Sequence, residues 1–179
     1  IALSPDGACA VTGGADGVLT VWDVASHELR WRLEAGGSVR SVALAPDGTR
    51  AYAAVETRGD DRWWSNLRAW ELAGASEITP APMELSYGVA LMMSPDGAWA
   101  VVTNEVPGPR TPAWVDLARW RLRPYTWREV TRRERQSRSE FTSVALFSED
   151  GTEVTVWWGH AHECWRSALD AATGDVVRV

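Results

Sequence analysis

One turn sequence recurs four times in this chain and constrains its fold more than any other feature. The copies are Ser4-Pro5-Asp6-Gly7, Ala45-Pro46-Asp47-Gly48, Ser94-Pro95-Asp96-Gly97 and the degraded Ser148-Glu149-Asp150-Gly151. Proline presets the backbone at the second turn position, aspartate bonds its own backbone and glycine adopts the left-handed conformation, so each copy predicts a tight hairpin connection. The repetition predicts a chain built from four related units.

Short apolar segments flank the turns and predict β-strands. Residues 42–44 precede the second turn and residues 98–102 follow the third, as continuous apolar runs typical of strands buried on both faces. Downstream of each turn, alternating apolar positions that end in an acidic or polar residue predict a half-buried third strand. Its four copies are residues 19–24, 67–72, 117–122 and 166–170. A more polar fourth strand follows, so each unit is predicted to hold four antiparallel strands.

Length and composition are those of a folded globular protein. The chain has 179 residues, of which 45% are hydrophobic and 23% charged, and a chain of this size buries roughly 70% of its unfolded surface. No apolar run approaches the roughly 20 residues that span a bilayer, and two cysteines are too few for a disulfide scaffold. We expect one domain over residues 1–179, no membrane association and a cytoplasmic location.

Four-stranded sheets repeated in this way cannot cover their own two faces. Radial stacking, in which each sheet covers its neighbour, solves this problem and produces a β-propeller. The predicted fold is all-β, a propeller arc of about four four-stranded antiparallel blades over residues 1–35, 36–84, 85–138 and 139–179. Because the sequence opens inside a first strand and ends on a fourth, we expect the arc to belong to a larger propeller and to leave an apolar terminal face uncovered.

The first repeat resembles the WD-repeat family. Residues 16–23, Asp-Gly-Val-Leu-Thr-Val-Trp-Asp, are similar to the family's second hairpin followed by its Trp-Asp strand ending. The resemblance implies a buried hydrogen-bonded set, in which Thr12, Asp16 and Trp22 match three of four family positions and the fourth, a histidine, would precede Ile1. The later repeats are degenerate copies.

Membership of that family implies a non-catalytic scaffold, because its members commonly scaffold complexes. The expected partner is a protein or another domain of the same polypeptide, bound through loops on one rim. Nucleophile-elbow, phosphate-loop and dinucleotide-binding motifs are absent from the sequence, so we predict neither enzyme activity nor a cofactor for this segment. The alternative is a ligand-binding or hydrolytic propeller with its site in the central channel.

Extra residues between the second and third strands of the second repeat carry the best candidate contacts. Arg58, Arg62, Trp63 and Trp64 combine aromatic anchors with charge, as at interface hot spots. Loops on a rigid scaffold are where binding usually resides. In the alternative interpretation, one tryptophan caps its own blade and the other covers a neighbouring loop.

A second candidate surface is an arginine-rich segment. Residues 119–138 contain eight arginines and two acids, whereas the whole chain has a net charge of −6. Arg132, Arg133 and Arg135 are the predicted contacts in this segment, which suits an acidic protein partner or simply a solvated loop. Nucleic acid is an unlikely partner because the overall charge opposes it.

The first residues of this arginine-rich segment belong to the predicted third strand of the third repeat. Arg119 and Arg121 would share one face of the strand, opposite Trp120 and Leu122. We therefore expect the aromatic side chain of Trp120 to point inward.

Alternating histidine and cysteine residues in the fourth repeat form the one pattern that suggests a metal. His160, His162 and Cys164 would share one face of a strand, and imidazole with thiolate suits zinc. Only three side chains align and no second cluster accompanies them, so we predict a polar loop and no metal site.

Overall fold

The computed structural model describes residues 1–59, 63–81, 83–85, 88–104, 113–123, 141–160, 163–171, 173 and 176–178. Strands and turns make up these residues, and no helix occurs among them. The strands form four separate antiparallel sheets. The predicted all-β architecture with four repeated sheets is confirmed.

The first two sheets occupy the first half of the chain. The strands of sheet one are β1 (Ala2–Leu3), β2 (Cys9–Gly13), β3 (Val18–Asp23) and β4 (Leu29–Glu34). The strands of sheet two are β5 (Ser38–Leu44), β6 (Arg50–Arg58), β7 (Trp63–Glu71), β8 (Ser76–Glu77) and β9 (Glu84–Leu85). Apart from β9, neighbours in each sheet follow chain order, as hairpin connections require.

The other two sheets repeat the same order. The strands of sheet three are β10 (Gly88–Met93), β11 (Trp99–Asn104), β12 (Ala113–Asp116) and β13 (Arg121–Arg123). The strands of sheet four are β14 (Phe141–Phe147), β15 (Glu153–His160), β16 (Glu163–Asp170) and β17 (Val176–Arg178). Both have four antiparallel strands in chain order.

The four recurring turns occupy equivalent places. Each joins the first and second strands of its sheet, and its glycine has a φ between 69° and 71°. In all four turns the aspartate Oδ1 accepts the backbone N–H two residues later at 3.0 Å. Where the turn begins with serine, its Oγ accepts the N–H five residues later at 2.9 Å. Local hydrogen bonding therefore determines the turn, as the sequence predicts.

A second turn type recurs between the third and fourth strands. Asp23, Asp116 and Asp170 each end a third strand and accept a backbone N–H from the following turn. Four residues after the strand-terminal acid, the chain adopts a positive φ: 61° at His27 and 50° at Trp120. The acid therefore ends the strand by capping the turn.

This turn corrects the prediction for the third repeat. Residues 117–122 are not a strand: β12 ends at Asp116, residues 117–120 form the turn, and Leu122 lies in the fourth strand β13 with 45% of its surface exposed. The predicted third strand at residues 117–122 is therefore wrong. Trp120 is half-buried at the turn, and its Nε1 donates to the carbonyl of Ala81 at 2.9 Å.

Sheet two departs from the predicted four strands. Its outer edge is shared by two short strands, because β8 pairs with the end of β7 at Trp70 and β9 pairs with its beginning at Ser65. Pro80 and Pro82 fall between β8 and β9 in the sequence. Proline cannot donate to a ladder, so it interrupts the outer strand.

Three apolar clusters join the sheets in consecutive pairs. One lies between sheets one and two, one between sheets two and three, and one between sheets three and four. In the third cluster the rings of Trp114 and Phe147 meet edge to face, with centroids 6.3 Å apart. Each internal face is thus covered by the next sheet, as radial stacking requires.

One face of sheet one has no covering sheet in the described part of the chain. Strand register places Leu3, Trp22 and Leu29 on that face, and all three are exposed. The equivalent positions in the other sheets are Trp70, Val115 and Leu169, which the preceding sheet buries. The expected uncovered apolar face is therefore present.

The turn aspartates make stability depend on pH. Hydrogen bonds from Ser26 and Arg30 lower the pKa of Asp23 to about 2, and hydrogen bonds from Ser148 and Thr152 lower the pKa of Asp150 to about 2. An unfolded aspartate has a pKa of about 3.9, so acid protonates the unfolded chain first. We expect the melting temperature to fall as the pH drops from about 4 towards 2.

Circular dichroism melts between pH 5 and pH 2.5 test this expectation. The double variant Asp23→Asn and Asp150→Asn should lose less melting temperature over that interval than the wild-type chain. Equal losses in the two proteins would show that these carboxyl groups are not responsible.

Candidate functional site

The connections gather at two opposite ends of the sheets. At one end, the turn that follows each third strand lies beside the recurring turn: Val24 N–H donates to the carbonyl of Ala8, and Leu117 N–H to that of Ala98. We call this end the turn rim. At the other end, Val39 N–H donates to the carbonyl of Gly14. The loop between β2 and β3 therefore contacts the start of β5, where the chain passes from sheet one to sheet two. We call this end the loop rim.

The β6–β7 hairpin is the longest of the described loop-rim hairpins in sheets one and two. Each of its strands has nine residues, against five in β2 and six in β3. Strand β5 pairs with β6 only as far as Glu56, so the last two residue pairs extend beyond the first strand of the sheet. The hairpin therefore presents its end at the loop rim.

The predicted contact residues of this hairpin do not all lie on one face of the sheet. In the register, Arg58 pairs with Trp63 and Thr57 pairs with Trp64. Consecutive strand positions belong to opposite faces of a sheet, so positions 63 and 64 do not share a face. Arg58 is exposed and Trp64 is half-buried. Arg62 lies outside the described residues, as do Arg132, Arg133 and Arg135.

A cavity of about 480 Å³ lies at the base of the same hairpin. It opens between the segment that links sheets one and two and the interrupted outer edge of sheet two. Its lining residues come from both places: Ala35, Val55, Thr57, Asn66, Leu67, Arg68, Glu77, Thr79, Pro80 and Ala81. No sequence pattern predicts this cavity. The only signal in the sequence is the pair of prolines that interrupts the outer strand.

An ion pair organises one wall of the cavity. Arg68 donates from Nε and Nη2 to the two carboxylate oxygens of Glu77, both at 2.7 Å, and from Nη1 to the carbonyl of Ala35. The guanidinium also lies 5.9 Å from the ring centroid of Trp70. Such planar, bidentate contacts fix the orientation of an arginine side chain. Arg68 therefore links the connection after sheet one to the outer strand of sheet two.

The charge of Glu77 is stabilised in this arrangement. Burial raises the pKa of Glu77, but hydrogen bonds from Arg68 and Thr79 together outweigh burial and hold the pKa below its usual range. The carboxylate is therefore charged at neutral pH, and it balances the charge of Arg68.

Of the three residues that match the WD-repeat hydrogen-bonded set, Thr12 and Trp22 bond to each other and Asp16 does not bond to either. Trp22 Nε1 donates to Thr12 Oγ1 at 3.3 Å, whereas Asp16 Oδ1 accepts the N–H of Val18 in its own turn at 3.2 Å. The indole is 36% exposed, so the bond lies at the surface and not in the buried set that the resemblance implied. The physical reason is the uncovered face of sheet one.

The histidine and cysteine pattern does not lie on one strand. His160 ends β15 and Cys164 lies in β16 beyond the hairpin turn, where it pairs with Gly159. His162 lies outside the described residues. Among the residues that the structure describes, no three histidine, cysteine or acidic side chains are grouped as metal ligands would be.

Comparison with known proteins supports the resemblance to WD-repeat proteins. A model described as "WD domain, G-beta repeat" matches residues 1–23, which include the first recurring turn and the Trp-Asp strand ending. The first repeat of the chain is therefore similar to a WD repeat. WD-repeat relatives include the small ribosomal subunit protein RACK1 of Medicago sativa, 29% identical over 48% of this chain and 24% of the relative. RACK1 of Candida albicans is 38% identical over 54% of this chain and 31% of the relative.

Solved structures support the same fold. A chain of Kuenenia stuttgartiensis hydrazine synthase matches 99% of this chain with a TM-score of 0.77 and 18% identity. The Cps50 (Swd1) β-propeller domain of Myceliophteria thermophila matches 97% with a TM-score of 0.75 and 13% identity. The chain spans about half of each structure. A search of the described residues finds no helix with the length and hydropathy of a membrane span.

Proposed function

We propose that this chain is a non-catalytic scaffold that binds a protein partner, or another domain of its own polypeptide, at the loop rim. The observation that carries the proposal is the long β6–β7 hairpin, which places Trp64 at the loop rim, near the cavity, on a rigid sheet. Similarity to small ribosomal subunit proteins supports a role as a component of a protein assembly. Similarity to hydrazine synthase at 18% identity concerns the fold and adds no argument for enzyme activity.

Preorganisation is the mechanism by which such a scaffold binds. Paired β-strands hold the ends of the hairpin before a partner arrives, so binding does not have to order them at an additional entropic cost. The net charge of −6 opposes recognition of nucleic acid phosphates. We therefore propose a protein partner in the cytoplasm, and no cofactor.

Photo-cross-linking in the native host tests this proposal. A benzophenone amino acid placed at Trp64 should yield a cross-linked protein, because position 64 lies at the loop rim. The same probe at Ala118, an exposed position on the turn rim, should not yield it. The purified partner should bind Trp64→Ala at least about 10-fold more weakly than the wild-type chain, as for a hot-spot tryptophan.

The opposite pattern would refute the proposal. Cross-links from Ala118 alone would place the partner at the turn rim, and equal cross-links from both positions would indicate non-specific contact. An unchanged affinity of Trp64→Ala would remove this tryptophan from the interface.

A further inference from the structure

The outer edge of sheet one is open. Strand β4 spans six residues, Leu29–Glu34, and within the described part of the chain it pairs only with β3. The outer strands of the other sheets are shorter, with two residues each in β8 and β9 and three each in β13 and β17. An open strand of this length presents backbone groups with which a further strand can pair.

Two residues at the end of β4 direct their backbone groups outward. The Ala35 N–H donates to the carbonyl of Gly17 at 2.8 Å, so the backbone of position 35 faces β3. Along an antiparallel pair, residues that bond to the partner strand alternate with residues that do not. The N–H and C=O groups of Arg32 and Glu34 therefore point away from β3, whereas those of Leu33 point towards it.

The side chains at these two positions are accessible and carry opposite charges. Arg32 and Glu34 are exposed, and neither forms an ion pair with another described residue. Arg30 in the same strand is instead bound to Asp23. Leu33 is 5% exposed and packs into the cluster between sheets one and two, so its side chain does not obstruct the edge.

The order of these residues makes the edge self-complementary. A two-fold axis at Leu33 sets one β4 antiparallel to a second β4, with Arg32 of each copy directly opposite Glu34 of the other. Each such pair can exchange both of its N–H···O bonds, and opposite charges directly across two strands attract. The register shift of β4 falls before Trp31, so it lies outside the paired segment.

We propose that the outer edge of sheet one binds a second copy of this chain through antiparallel β4–β4 pairing centred on Leu33. The contact is isologous and ends with two copies, because each copy uses its own β4. The pairing joins sheet one of both copies into one continuous sheet. The contact uses no residue of the β6–β7 hairpin, so the inference does not depend on the proposed function.

Sedimentation velocity on the wild-type chain and on charge variants tests the inference. We expect the wild-type chain to change from monomer to dimer between about 10 μM and about 1 mM, because a single strand pair is a small and therefore weak interface. Glu34→Arg and Arg32→Glu each place like charges opposite one another and should raise the dissociation constant of the dimer at least about tenfold. The double variant Arg32→Glu and Glu34→Arg exchanges the charges and should restore the constant to within about threefold of the wild-type value.

Glu28→Arg is the matched control for Glu34→Arg. Glu28 is also exposed and precedes β4, so the same change in net charge falls outside the paired segment and should leave the dissociation constant unchanged. Leu3→Arg tests association through the uncovered face of sheet one, because Leu3 lies on that face in β1, at the opposite edge. This variant should also dimerise as the wild-type chain does. The β-sheet circular dichroism signal of each variant reports whether it is folded.

A wild-type chain that stays monomeric up to about 1 mM would overturn the inference. A dimer that Leu3→Arg or Glu28→Arg weakens as much as Glu34→Arg would also overturn it, in favour of contact through the uncovered face or of a general charge effect. A folded double variant that dimerises as weakly as the single variants would exclude the pairing of Arg32 with Glu34. Cross-linking from Trp64 does not depend on any of these results, so the two proposals fail separately.

Discussion

Replacing Gly37 with alanine should lower the free energy of unfolding by about 2 to 3 kcal/mol, the upper range for overpacking a well-packed site. Gly37 lies in the connection between sheets one and two. A Cβ atom at this position would lie 2.5 Å from the carbonyl oxygen of Glu56 and 2.6 Å from the side chain of Thr57. The nearest atom belongs to the backbone of a paired strand, so it cannot move aside without disturbing the sheet.

Gly74→Ala is the matched control for this change. At Gly74 the nearest atom to an added Cβ is the Ser76 Oγ at 3.8 Å, an ordinary contact distance. Chemical denaturation should find Gly74→Ala within about 0.5 kcal/mol of the wild-type chain, or slightly more stable. Equal effects of the two substitutions would show that the connection at Gly37 does not lie close against β6.

Trp70→Ala should cost about 3 to 5 kcal/mol, the usual range for truncating a large buried aromatic residue. Trp70 is 2% exposed and belongs to the apolar cluster between sheets one and two. The substitution leaves a cavity between the sheets and removes the ring beside the Arg68 guanidinium. Denaturant unfolding followed by circular dichroism measures the loss.

Trp22→Ala is the matched control, because it makes the same substitution at the equivalent position of sheet one. Trp22 occupies in sheet one the position that Trp70 occupies in sheet two, opposite Ala10 and Ala51 respectively. Its indole is 36% exposed and donates a hydrogen bond to Thr12, so its removal should cost clearly less than the removal of Trp70. A similar loss for both tryptophans would contradict the covering of Trp70 by sheet one.

Turn chemistry made the repeated sheets predictable. The aspartate and glycine of each recurring turn act within a few residues of each other, and all four turns join the first and second strands as expected. Prediction failed at residues 117–122, where alternating apolar positions suggested a strand. The capping carboxylate of Asp116 instead ends the strand before them, and an aspartate that ends a strand is hard to distinguish by pattern from one within it.

The candidate site was only partly predictable. Its hairpin could be located, because residues are inserted between two apolar segments of the second repeat. The cavity could not, because it forms where Ala35 and the interrupted outer strand meet through Arg68, which donates to residues 33 positions earlier and 9 positions later. Contacts at such separations leave no periodic signal in a sequence.

The amino-acid sequence alone determined the turns, the number of sheets and the order of their strands, because these depend on backbone preferences and hydrogen bonds between near neighbours. The tertiary structure alone decided which equivalent side chains are buried. Trp70 and Trp22 stand at the same place in their sheets, yet among the residues that the structure describes a preceding sheet packs over Trp70 and none packs over Trp22. Burial depends on what another part of the molecule brings against a side chain, and that information lies in the arrangement of the sheets.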